Sequence, residues 1–313
     1  MKRILCILLS ILTFAVLYSC EDGESMSSST ENSVEDSKED SVEESSSPTE
    51  NAKKTINSLD YTNTGKMGDV DGPAFAVYSR TGYNGACVTL DLKNMEINTV
   101  LPDGRFVNGY TFLGSDVYTN GYWSNCFDAG LCWSGKNGGW HIFYNVYQPV
   151  NEGDGTWYES SKKLPKNGRY VMTLEFIADE RARITVKGID NNFKDSVEIG
   201  VKGAKADGSN TSMLFNTALD YPQNTKVDPE GAPCEDWVTI TLANSDKGLY
   251  LKNFHAYDLK LYKNGSEEEW TDGKNSACSI WPDKSITGFD YAPTEVYLFD
   301  GSEYFINLDM NRK

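Results

Sequence analysis

Histidine is nearly missing from this chain of 313 residues, which has only His141 and His255. A triad-type serine hydrolase needs a base beside its nucleophile, and no Gly-x-Ser-x-Gly elbow is present to carry one. His255 falls on the apolar side of an expected strand, where a hydrogen-bonded core role is predicted, and His141 follows Trp140 at a strand start. Positive charge is also scarce, with 29 Lys and Arg against 46 Asp and Glu and a net charge of −17. Such a surface repels phosphate backbones, so nucleic acid is not an expected partner. No amphipathic helix and no internal repeat stand out. The N-terminal apolar run, Ile4 to Val16, falls short of the ~20 residues that cross a bilayer.

What that run does have is a basic start, Lys2 and Arg3, and a closing Leu17-Tyr18-Ser19-Cys20. Together these resemble a bacterial lipoprotein signal and its lipobox, which implies removal of residues 1–19 and lipidation of Cys20. The expected address is the outside of the cell envelope, with the membrane touched through the lipid anchor alone. From Glu21 to Thr55 the chain is almost wholly Ser, Glu, Asp, Thr and Asn, with eleven acidic and three basic residues. Residues 20–57 are therefore read as a disordered, self-repelling tether that holds a folded domain clear of the membrane.

From Ser58 to Lys313 the composition turns apolar and aromatic without a break, which predicts one domain. Its periodicity is that of strands. Ala86, Val88, Leu90 and Leu92 alternate with polar positions, as do Tyr170, Met172, Leu174 and Phe176, and Tyr257, Leu259 and Leu261. Turn-forming Lys166-Asn167-Gly168, Ala206-Asp207-Gly208 and Lys263-Asn264-Gly265 separate such runs. The expected fold is all-β, an antiparallel two-sheet β-sandwich of the jelly-roll or lectin-like kind.

Outside the cytoplasm, Cys87, Cys126, Cys132, Cys234 and Cys278 are free to form disulfides. Cys126 with Cys132 would staple a glycine-containing loop, and Cys234 with Cys278 is a second pairing. A metal site of Cys126, Cys132 and His141 is the sharper alternative, at intervals that match no usual zinc spacing. Paired carboxylates for glycoside hydrolysis must lie roughly 5 to 9.5 Å apart. Glu175 and the run Glu267-Glu268-Glu269 are the candidates, and both read as solvated surface.

Between Gly121 and Trp140 lies an aromatic, glycine-rich stretch read as loop, followed by Trp157 and Tyr158. Trp123, Trp133, Trp140 and Trp157 are four of the seven tryptophans, interleaved with Asn125, Asp128, Lys136 and Asn137. Flat rings beside short amides and carboxylates suit the apolar faces and hydroxyl edges of sugars. The segment Ala76 to Leu92, with Arg80-Thr81, then Tyr83-Asn84-Gly85, then Val88 to Leu92, resembles the early strands of jelly-roll carbohydrate-binding modules. That resemblance implies polysaccharide binding without cleavage and a structural calcium, for which Asp69 and Asp71 could supply oxygens. The expectation is a surface-tethered, non-catalytic glycan-binding module using Tyr122, Trp123, Trp133, Trp140, Trp157 and Arg80. A glycoside hydrolase of the lectin-like sandwich type is the first alternative, and a structural or adhesion lipoprotein the second.

Overall fold

The computed structural model describes residues 54–55, 73–102, 104, 106–151, 153–220, 248–281, 294–299 and 302–310. Within them the strands are β1 (Lys54–Thr55), β2 (Ala74–Thr81), β3 (Gly85–Asp91), β4 (Glu96–Asn98), β5 (Gly109–Thr119), β6 (Tyr122–Trp133), β7 (Trp140–Val146), β8 (Trp157–Lys163) and β9 (Arg169–Ala178). They continue with β10 (Arg181–Gly188), β11 (Lys194–Gly200), β12 (Thr211–Leu219), β13 (Tyr250–Lys263), β14 (Ser266–Glu269), β15 (Asn275–Trp281), β16 (Thr294–Phe299) and β17 (Glu303–Asp309).

The described strands form two antiparallel sheets. One runs β15-β2-β12-β5-β6-β7-β8; the other runs β1-β16-β17-β13-β3-β9-β10-β11, with β4 and β14 also paired to β13. The expected two-sheet sandwich is thus the fold. Its core joins Phe75, Val77, Leu113, Phe127, Leu131 and Phe215 of the seven-stranded sheet to Val88, Leu90, Met172, Leu174, Ile184 and Tyr304 of the other. Each such side chain contributes about 1.5–3 kcal/mol when it leaves water. A smaller apolar cluster, with Tyr110, Phe112, Phe143 and Leu214, lies on the opposite, outer face of the seven-stranded sheet.

Turn chemistry sets the hairpins. Asn264 and Gly265 at φ 52° and 77° join β13 to β14, and Asn120 and Gly121 at φ 53° and 81° join β5 to β6. Two successive positive φ values make the primed turn whose twist matches paired strands, and asparagine followed by glycine tolerates it best.

Two expectations change. The stretch Gly121 to Trp140 is largely strand, since β6 and the start of β7 occupy it. Along β13 a bulge between Tyr257 and Lys260, with Asp258 at φ 53°, breaks the alternation. Leu259 and Leu261 point inward, whereas Tyr257 and His255 face outward. His255 accordingly stacks flat on Phe305 at 4.1 Å and bonds Glu303 at 2.7 Å, outside the core. The Ala76 to Leu92 segment crosses the sandwich, since Arg80 and Gly85 lie on strands of different sheets. Lys54 and Thr55, at the end of the expected tether, pair with Leu298 and Tyr297.

Candidate active site

Because side chains alternate, the outer face of the seven-stranded sheet can be read in rows. Leu214, Gly114, Asp128, Asn145 and Trp157 are successive register partners across β12, β5, β6, β7 and β8. The row beside it holds Asn216, Phe112, Gly130, Phe143 and Glu159. On the other side come Ser212, Asp116 and Cys126. Glycine in mid-strand is what opens this surface. A Cβ on Gly114 would stand 3.0 Å from Asp128 Oδ1, so the Asp128 carboxyl lies over β5 at Gly114, on the same face as Asp116 two residues farther along. Same-face positions at that interval are about 7 Å apart.

The two acids sit in different surroundings. Asp116 is 7% exposed, and its Oδ1 accepts the Trp123 indole N–H at 3.0 Å. Burial pushes its carboxyl up to about 6, and the Trp123 bond opposes that rise. Asp128 is half-buried, and the exposed Glu159 lies two strands away. Beside Asp116, the Tyr118 hydroxyl is raised by burial and then by the Asp116 charge. Asn145 Oδ1 is buried without a hydrogen-bond partner next to Asp128. Trp157, 37% exposed, tilts over Phe143 at 5.3 Å and meets Tyr110 edge-on. A cleft of about 670 Å³ opens at the end of the β5–β6 hairpin, where Tyr118, Asn120, Glu180, Lys205 and Asn210 line it.

A cysteine nucleophile does not fit this face. Cys132 is the register partner of His141, yet burial holds its thiol well above the usual range, and a protonated thiol is a poor nucleophile. His141 Nδ1 lies 2.9 Å from the Ser160 carbonyl oxygen. Cys126 and Cys132 are six residues apart on one strand, about 20 Å at strand rise, so neither the disulfide staple nor the three-ligand metal site can close. Among the described residues no group of three or more His, Cys, Asp or Glu is arranged to hold a metal ion.

The nominated aromatics do not share a platform. Trp133 and Trp140 pair with each other and pack edge-on at 5.7 Å on the inner face, Trp140 only 5% exposed in the core. Trp123 and Trp157 face outward, the first over Asp116 and the second at the end of the Asp128 row. Tyr122 stands 79% exposed at the hairpin end, and Arg80 is exposed on β2, two strands from β5. Cys20, Asp69, Asp71 and Cys234 lie outside the described residues. Asp116 is the residue that the sequence reading missed. Its signal was the Asn120-Gly121 turn, which pairs 109–119 with 122–133 and brings it beside Asp128.

No protein-family model and no curated protein matches the chain. Among solved structures it is similar to scytalido-glutamic peptidase bound to a peptide-based transition-state analogue, at 10% identity and TM-score 0.46, over 75% of this chain and 97% of that one. It is also similar to aspergilloglutamic peptidase from Aspergillus niger, at 9% identity and TM-score 0.31, over 64% and 98%. The CBM2 module of a Lactobacillus casei phage J-1 Dit follows at 11% identity and TM-score 0.22, over 45% and 64%. None of these scores transfers a catalytic residue to this chain. The expectation of a non-catalytic glycan-binding module is nevertheless corrected. The expected platform does not exist as one surface: Trp133 and Trp140 pack on the inner face of the sheet, Trp123 and Trp157 on the outer one.

Proposed function

We propose that this chain is a hydrolase acting in the mildly acidic range, with Asp116 as general acid and Asp128 as general base, held at the envelope surface by a lipid on Cys20. One observation carries the catalytic part: two carboxyls share a face of adjacent strands, one buried and raised to about 6, the other half-buried. Environments that push two acids apart are how a single fold supplies both roles at one pH. Below about 6 Asp116 carries a proton for the departing group. Asp128 is assigned the base's role, taking a proton from the attacking water. Asn145 beside the base and Trp157 on the strand beyond it would hold the substrate, the ring through its exposed face.

This chemistry serves glycosidic and peptide linkages alike, and the similar peptidase structures add peptide bonds to the assays. The full chain is to be incubated with soluble polysaccharides and with denatured protein from about pH 3 to 8, counting new reducing ends and new amino termini. Cleavage of one class, reduced about 100-fold or more in Asp116→Asn and Asp128→Asn, is the expected result. Inertness toward both classes, or variants as active as the parent, would remove the reading.

A further inference from the structure

Asp116 lies in surroundings that disfavour its charge, and one polar contact on β6 reaches it. We infer that Trp123 is a positioning residue for this carboxyl, its indole N–H reserving Oδ1 so that the transferable proton resides on Oδ2. The contact depends on an irregularity in the hairpin. Asp116 pairs with Cys126 and Val117 with Asn125, but Tyr118 pairs with Trp123 rather than Ser124. Ser124 is the extra residue, its hydroxyl donating to the Val117 carbonyl at 3.1 Å. Strict alternation would turn Trp123 to the core; the bulge turns it outward, over Asp116. Tyr147 packs on its ring at 5.5 Å and keeps it there.

A donor to the charged form lowers a carboxyl pKa, so this bond restrains the rise that burial causes. The groups facing Asp116 are Tyr118 on its own strand, Trp123, Cys126 and Asp128 from β6, and Ser212 from β12, of which Tyr118, Cys126 and Asp128 also titrate. The consequence for turnover rests on the hydrolase reading; the consequence for titration does not.

The test is NMR on the full chain, following the sequentially assigned Trp123 Nε1–H resonance and the Asp116 carboxyl carbon. Both are expected to titrate with one midpoint. In Trp123→Phe the Asp116 midpoint should rise by about one pH unit, because a bond to the charged form is lost. An indole resonance indifferent to pH, or an unmoved midpoint in folded Trp123→Phe, would overturn the inference. If that variant does not fold, the parent's indole titration still decides. A chain that cleaves nothing sinks the hydrolase reading and leaves these titrations to stand or fail alone. Where cleavage is found, its alkaline limb should move up in Trp123→Phe.

Discussion

Asp116 on β5 and Asp128 on β6 are diagonal neighbours: Cys126 is the register partner of the first and Gly114 of the second. Diagonal positions on one face of an antiparallel pair are within reach of long or leaning side chains. The absent side chain at Gly114 lets Asp128 lean. The hairpin thereby sets two acids over one patch of sheet while burying only one of them deeply.

Stability should depend on the protonation of Asp116. Its carboxyl is raised from 3.8 to about 6 in the fold, so the native state holds the extra proton between those values. That contribution is full below about 3.8 and lost as pH rises through about 6, an effect of up to about 3 kcal/mol. Urea unfolding at several pH values should show the parent losing stability relative to Asp116→Asn across this window. A parent-minus-variant difference that does not change with pH would mean that the charge is not buried.

Gly114→Ala should disrupt the site more than its size suggests. The new Cβ would meet the Phe127 carbonyl oxygen at 2.7 Å and Asp128 Oδ1 at 3.0 Å. The expected cost is about 1–3 kcal/mol, with the Asp128 carboxyl displaced from β5. Thermal unfolding and the Asp128 carboxyl chemical shift, read together, check it.

Two tryptophans should separate stability from substrate affinity. Trp140 fills the core, so Trp140→Ala is expected to cost about 3–5 kcal/mol. Trp157→Ala, on the outer face and partly exposed, should cost less than half as much and act mainly on KM. Denaturant midpoints and steady-state kinetics on both variants distinguish the two roles.

Asn125 ties the end of the sandwich together. Its amide donates to the Gln148 and Lys202 carbonyls and accepts from the Cys126 and Gln148 N–H groups, all at 2.9 Å. Asn125→Ala leaves these groups without that partner and should cost about 2–4 kcal/mol. Amide exchange at Cys126 and Gln148 should accelerate before the rest of β6 is affected.

Much of the fold was legible because its signals are local. Val88, Leu90, Met172 and Leu174 stand on the alternating positions that predicted their burial. Asn264-Gly265 closes the hairpin expected of that dipeptide. The stretch 121–140 was harder, because both faces of β6 carry apolar or small residues. Phe127, Ala129 and Leu131 point inward, while Gly130 and Cys132 lie buried on the outer face. A strand covered on both sides loses the contrast that marks it. The same ambiguity put four tryptophans on one imagined surface.

Class of fold, the Asn-Gly hairpins and the faces of the regularly alternating strands follow from residue spacing and turn chemistry, which act over a few neighbours. The acid pair does not. It requires β5 and β6 to pair in one register, a bulged Ser124 to bring Trp123 outward, and β12 to lie along Asp116 from a segment almost a hundred residues later. Burial of Asp116 comes from those distant contacts, and burial is what moves a carboxyl from ordinary surface acid to proton donor.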